Sequence, residues 1–101
     1  MARVLIICGS GISSQLLRDS AERSSEAYHA PITFEAASYS GAMEGAMAEA
    51  DLILVAPQVT YKYDQLKQLY TKVEKIPDDV YGWLNGENLV KFALNELATN
   101  E

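Results

Sequence analysis

The stretch Arg3-Val-Leu-Ile-Ile-Cys8-Gly9-Ser10-Gly11-Ile12-Ser13-Ser14-Gln15-Leu-Leu17 decides the fold. Residues 3–7 form a short, continuous run rich in Val, Leu and Ile, the pattern of a strand covered on both faces. Cys8 follows at once, and Gly9 and Gly11 break the run. Beyond them, Leu17, Ala21, Ser24 and Tyr28 recur at helical spacing, while Arg18, Asp19, Glu22, Arg23 and Glu26 fall mostly elsewhere. The spacing predicts a helix over residues 13–28, with Ser13 as its N-cap. A buried strand, a glycine turn and an amphipathic helix make the first half of a βαβ unit.

The same alternation continues outward. Residues 32–37 (ITFEAA) and 52–56 (LILVA) are two more buried-strand runs, and 73–76 (VEKI) is a weaker fourth, ended by Pro77. Residues 59–72 place Val59, Tyr63, Leu66, Tyr70 and then Val73 on one stripe, and residues 87–98 do so with Leu89, Val90, Ala93, Leu94 and Leu97. A shorter helix is predicted over 41–50, weakened by its two glycines. Strands alternating with helices imply an α/β sandwich around a parallel sheet with right-handed crossovers. In open sheets of this type, sites form beyond the carboxyl ends of the strands. Cys8 stands there.

Composition narrows the function. A chain of 101 residues, 49% of them hydrophobic, reads as one domain with a real core. A net charge of −6 disfavours nucleic acid and anionic membrane, which need a basic face. The single cysteine forms no internal disulfide and no multi-thiolate metal site, and it suits a reducing cytoplasm. No stretch approaches the ~20 apolar residues of a membrane span, and the apolar run before Cys8 is too short for an export signal. No cofactor is expected.

The turn after Cys8 suits an anion. Glycines let successive backbone N–H groups converge, and a helix start adds roughly half a positive charge. Both favour thiolate over thiol, so the Cys8 pKa is expected below the ~8.5 of a free cysteine. The same donors suit the oxygens of a phosphoryl group on the sulfur. One turn would thus activate a nucleophile and hold its product. The plain alternative is a small buried hydrophobe ending a strand, with glycines serving an ordinary turn.

What the turn lacks is equally informative. Thiol phosphatases place an arginine six positions after the cysteine; here that residue is Ser14, and the first arginine is Arg18. Without a planar, bidentate cation, hydrolysis loses its main charge partner, so the turn suits a carrier better than a hydrolase. No Gly-Lys-Ser/Thr completes a Walker loop, and Ser14 stands where a dinucleotide fingerprint needs its third glycine. A degenerate thiol phosphatase, and a non-enzymatic anion or FMN binder of flavodoxin-like shape, stay open as alternatives.

At these residues the chain resembles the lactose/cellobiose type of IIB proteins of bacterial sugar phosphotransferase systems. The resemblance rests on residues 4–17, on Asp51-Leu-Ile-Leu-Val-Ala-Pro57-Gln58-Val-Thr-Tyr61, and more loosely on Tyr81-Gly82 with Asn85-Gly86. It implies a three-layer, flavodoxin-like sandwich with a four-stranded parallel sheet, the whole chain being one IIB domain. It implies that Cys8 accepts a phosphoryl group from a phosphohistidine on a IIA protein and gives it to a sugar bound by the membrane subunit IIC. By position, Gly9, Ser10, Gly11, Ile12, Ser13, Ser14 and Gln15 would form the phosphate-binding loop. Pro57, Gln58 and Tyr61 would border the same edge. A cytoplasmic monomer is the expected form. The family often has Ala and Met where this chain has Ser10 and Ile12, which bears on sugar and partner specificity.

Other residues attract plainer readings. His29 ends the first helix, where cationic side chains are favoured anyway, at the end far from Cys8. Asp78-Asp79 after Pro77 reads as turn chemistry. Tyr63 and Tyr70 belong to the apolar stripe, Tyr61 does not, and Trp83 is either a loop packer or a partner contact. Met43 and Met47 read as packing.

Overall fold

The computed structural model describes residues 2–8, 11–38, 50–57, 63–69, 72–79 and 86–99. Its elements are β1 (Ala2–Cys8), α1 (Gly11–Ala27), β2 (Ile32–Ser38), β3 (Leu52–Val55), α2 (Tyr63–Leu69), β4 (Val73–Lys75) and α3 (Gly86–Thr99). The predicted helix over 41–50, and Val59, Tyr70 and Trp83, lie outside these residues, save Ala50, which is in neither helix nor strand.

The four strands form one parallel sheet in the order β2-β1-β3-β4. β1 is central. It pairs with β2 from Ala2↔Ile32 to Cys8↔Ser38, and with β3 from Val4↔Leu52 to Ile7↔Val55. Val4 to Ile7 and Leu52 to Ala56 are all buried, so the continuous apolar runs are strands covered on both faces, as predicted. With right-handed crossovers, the reversal of direction at β1 sends α1 to one face and α2 to the other. α3 packs against α1 and so shares its face, while α2 packs on β4. The result is the three-layer, flavodoxin-like sandwich, with its switch point between β1 and β3.

The apolar stripe of α1 runs Leu17, Ala21, Ser25, all buried, rather than through Ser24 and Tyr28. Tyr28 lies beyond the helix and is exposed, its hydroxyl donating to Glu87 Oε1 at 2.8 Å. That hydrogen bond raises the Tyr28 phenol above its ordinary pKa; the same bond, with Lys91 beside it, lowers the Glu87 carboxyl. Leu94, expected in the α3 stripe, is also largely exposed.

The stripe shifts because of how α1 ends. The Ala30 N–H donates to the Ser25 carbonyl (2.9 Å) and the His29 N–H to the Glu26 carbonyl (3.2 Å), the paired bonds of a Schellman cap. His29 occupies the left-handed position of that cap, φ 53°, which glycine usually fills. Ser25 Oγ reaches the carbonyls of Ala30 (3.2 Å) and Ile32 (3.0 Å), fastening the helix end to the start of β2. Two outcomes are expected. His29→Gly relieves the left-handed strain and raises stability by about 0.5–1 kcal/mol, read as a higher urea midpoint; an unchanged midpoint contradicts this. Ser25→Ala leaves the two carbonyls without that donor and costs about 1–2 kcal/mol in the same measurement.

β2 is an edge strand, and α1 covers part of its open side. Glu22 Oε1 accepts the Phe34 N–H, and Arg18 Nε donates to the Phe34 carbonyl at 3.0 Å. Both main-chain groups of one edge residue are thus taken by side chains four apart on one helix face, which blunts the edge against pairing with another chain.

Candidate functional site at the end of strand β1

Cys8 is the last residue of β1 and pairs with Ser38 of β2. Only Gly9 and Ser10, which lie outside the described residues, separate it from the first residue of α1, Gly11. The helix therefore begins two residues earlier than predicted, and Ser13 is not its N-cap but a member of its first turn. The early start changes what the predicted loop residues offer. The amides of the first helical residues have no partner within the helix, so the N–H groups of Gly11, Ile12 and Ser13 form the amino end of a 17-residue helix just after Cys8. The first turn holds no acidic residue to compete for these donors. The side chains of Cys8, Ile12, Ser13 and Ser14 lie outside what the structure describes.

Gln15 is placed differently. In the i→i−4 pattern its amide is directed at the Gly11 carbonyl. Its exposed side chain lines a shallow groove of about 400 Å³ with Arg18, Glu35 and Ala36, along the β2 edge. Any part Gln15 plays at the cysteine falls to its side chain.

The segment after β3 is drawn to the same edge. The Ala56 N–H donates to the Ile7 carbonyl at 2.9 Å, carrying the chain across the end of β1 beside Cys8. Pro57 follows, half-buried; Gln58 and Tyr61 lie outside the described residues. The strand ends that flank the switch point thus meet at Cys8 and Ala56–Pro57, where open α/β sheets build their sites.

Arg18 does not belong to this site. Its Nη1 pairs with Asp19 Oδ1 at 2.9 Å while its Nε holds the Phe34 carbonyl. Phe34 is in register with Val4, four residues before Cys8; at ~3.3 Å per residue that is about 13 Å down the strand. His29 is further still, beyond the far end of α1, whose 17 residues span roughly 25 Å. Asp78 and Asp79 are exposed and helical rather than the turn expected. A second open groove, about 490 Å³ between Pro31, Lys72 and Leu94, lies at the amino-terminal edge and holds no predicted site residue. Among the described residues there is no cluster of metal-ligating side chains, and no helix long and apolar enough to cross a membrane.

Sequence reading missed the edge-capping pair Arg18 and Glu22, although their four-residue spacing on one helix face was a visible signal. It also gave no structural reason for Gly86, the first residue of α3. A Cβ there would lie 2.3 Å from the Ser20 carbonyl carbon and 2.5 Å from the Ala21 nitrogen. The Gly86 N–H takes the Ser20 hydroxyl as its acceptor at 3.2 Å. Gly86 thus sets how closely α3 approaches α1, the helix that begins at the cysteine turn.

Fold and site together define a flavodoxin-like α/β domain whose first strand delivers a cysteine to the amino end of a long helix. Residues 3–92 match the family described as PTS system, lactose/cellobiose specific IIB subunit, and the chain belongs to that family. It is accordingly a component of a sugar phosphotransferase system. Over 65 residues, 64% of the chain, it is 40% identical to the PTS system lactose-specific EIICB component of Staphylococcus aureus. Over the same length it is 37% identical to that of Staphylococcus haemolyticus. The matched stretch spans only 11% of either relative. Among solved structures, the lactose-specific IIB domain of Streptococcus pneumoniae superposes with a TM-score of 0.81 at 21% identity, covering 94% of this chain and 96% of that one. The cellobiose-specific IIB component of Borrelia burgdorferi gives 0.78 at 25% identity, covering 97% and 93%.

Proposed function

We propose that the chain is a cytoplasmic, monomeric IIB domain whose Cys8 relays a phosphoryl group from a phosphohistidine of a IIA protein to a sugar held by a membrane IIC subunit. The observation that carries this reading is the two-residue connection between Cys8 and α1. It sets a nucleophile at the strand end beside the first-turn amides of a long helix, with no carboxylate in that turn to oppose an anion. Gly9, Ser10 and Gly11 to Ser14 would cradle the phosphoryl oxygens, and Pro57, Gln58 and Tyr61 would flank them. The sugar belongs to the lactose, cellobiose or oligo-β-glucoside class, in keeping with the family.

The transfer balances simply. The Cys8 thiolate attacks phosphorus, the P–N bond to the donor imidazole breaks, and the P–S bond forms. The nitrogen keeps the bonding pair and takes up the proton the thiol lost. Such a transfer needs chiefly alignment and charge stabilisation, which an amide cradle supplies. The placement of Arg18 supports a carrier over a hydrolase, because it leaves the cysteine without a nearby guanidinium among the described residues. The test is to supply phosphoenolpyruvate, the general phosphotransferase proteins and a lactose-type IIA protein, and to map the product by peptide mass spectrometry. One added phosphoryl group on Cys8 is expected; a label elsewhere, or none, refutes the assignment.

A further inference from the structure

Charge is unevenly spread along this chain. Residues 62–75 hold four lysines, Lys62, Lys67, Lys72 and Lys75, against Asp64 and Glu74, a net +2 in a chain of net charge −6, so the remainder carries −8. Two of these lysines gather on one tyrosine. Lys75 Nζ sits over the Tyr63 ring at 4.7 Å from its centroid, and Lys67 Nζ at 5.9 Å. The ring is pinned in turn, its hydroxyl donating to the Val73 carbonyl at 3.2 Å. Lys67 is occupied, donating to the same carbonyl at 3.0 Å and meeting Glu74 at 3.5 Å. Lys75 is exposed and, among the described residues, pairs with no carboxylate. A ring beneath an ammonium orients it without cancelling its charge.

The sheet register locates this cation. Lys75 ends β4 in register with Val55, and Val55 is in register with Ile7, the neighbour of Cys8. Two interstrand steps of ~4.8 Å put the Lys75 backbone about 10 Å across the carboxyl edge from Ile7. That is too far to hold a phosphoryl group on the sulfur, and close enough to touch whatever protein presents one. On the β2 side the described charged groups lie lower on the sheet: Glu35 is in register with Leu5, and Arg18, paired with Asp19, holds the Phe34 carbonyl.

We infer that the Tyr63–Lys75 corner is the docking point for an acidic surface of the protein that hands its phosphoryl group to Cys8. The inference rests on the carrier role proposed above. A donor carrying a phosphoryl anion is repelled by a chain of net charge −6, and this corner is an oppositely charged approach to the strand-end edge among the described residues. Steering of that kind acts on the association rate and weakens with salt.

The test measures the second-order rate of transfer from a phosphorylated lactose-type IIA protein to the wild type and to Lys75→Glu, Lys75→Ala, Lys75→Arg and Lys72→Glu. Lys72 carries the same charge just before β4, at the opposite edge. At low salt, Lys75→Glu is expected to slow transfer about tenfold and Lys75→Ala about threefold, with the gap closing near ~0.5 M salt. Lys75→Arg should keep the wild-type rate, and Lys72→Glu should change it by less than about twofold. Alkylation of Cys8 by iodoacetamide should be equal in all five proteins, since the cysteine turn is untouched. The inference is overturned if Lys75→Glu transfers as fast as wild type, if Lys72→Glu slows transfer equally, or if alkylation falls in step with transfer. A wild type that takes no label from the donor overturns the carrier role and the docking point with it; a labelled wild type with an indifferent Lys75→Glu overturns the docking point alone.

Discussion

Gly86→Ala is expected to destabilise the domain by about 3 kcal/mol, at the upper end of overpacking costs. Local propensity points the other way: alanine in a helix is favoured over glycine by up to ~1 kcal/mol, and Gly86 has no positive φ that would demand glycine. Tertiary contact reverses the sign. The added methyl would lie 2.3 Å from the Ser20 carbonyl carbon and 2.5 Å from the Ala21 nitrogen. Those are main-chain atoms of a buried helix face, and no rotamer change clears them. The Ser20 hydroxyl, 2.4 Å away, can swing aside, but it then abandons the Gly86 N–H it accepts. α3 must therefore move off α1, loosening the packing of Ala21, Leu89 and Val90. For a domain of this size ~3 kcal/mol corresponds to a fall in Tm of roughly 12–24 °C. Thermal and urea unfolding check it, and a Tm at or above that of the wild type would show that the helices are not in this contact.

The reversal at Gly86 marks where the sequence stops being legible. The buried strands could be read because residues 4–7 and 52–55 are apolar at every position, a pattern that needs no knowledge of neighbours. Cys8 could be placed at the carboxyl edge for the same reason, since it ends such a run. The start of α1 was misjudged by two residues because Ser13 looks like a cap and glycine is a poor helix former; the short connection from β1 overrides both. The far end of α1 was misjudged because His29 accepts a left-handed conformation that local rules reserve for glycine. Arg18, Glu22 and Gly86 act through partners 12 to 66 residues away; the spacing of Arg18 and Glu22 shows that they share a helix face but not which strand residue they meet.

Cys8→Ser is expected to abolish phosphoryl acceptance, with a loss on the order of 10³-fold or more in the rate of labelling, as when other enzymes lose a nucleophile. The substitution is nearly isosteric and leaves the β1 pairing and the first-turn amides of α1 in place, so folding is preserved and the effect falls on chemistry. Serine fails because its hydroxyl does not ionise near neutral pH, whereas a thiol at a helix amino terminus ionises below the ~8.5 of a free cysteine. This difference gives the experiment a second readout. In the wild type, alkylation of Cys8 should rise with pH along a titration curve whose midpoint lies below that of a free thiol, and donor labelling should follow it. A midpoint at or above the free-thiol value would mean that the helix amides do not act on the sulfur. A serine variant that takes up phosphate as fast as the wild type would mean that another residue carries the group.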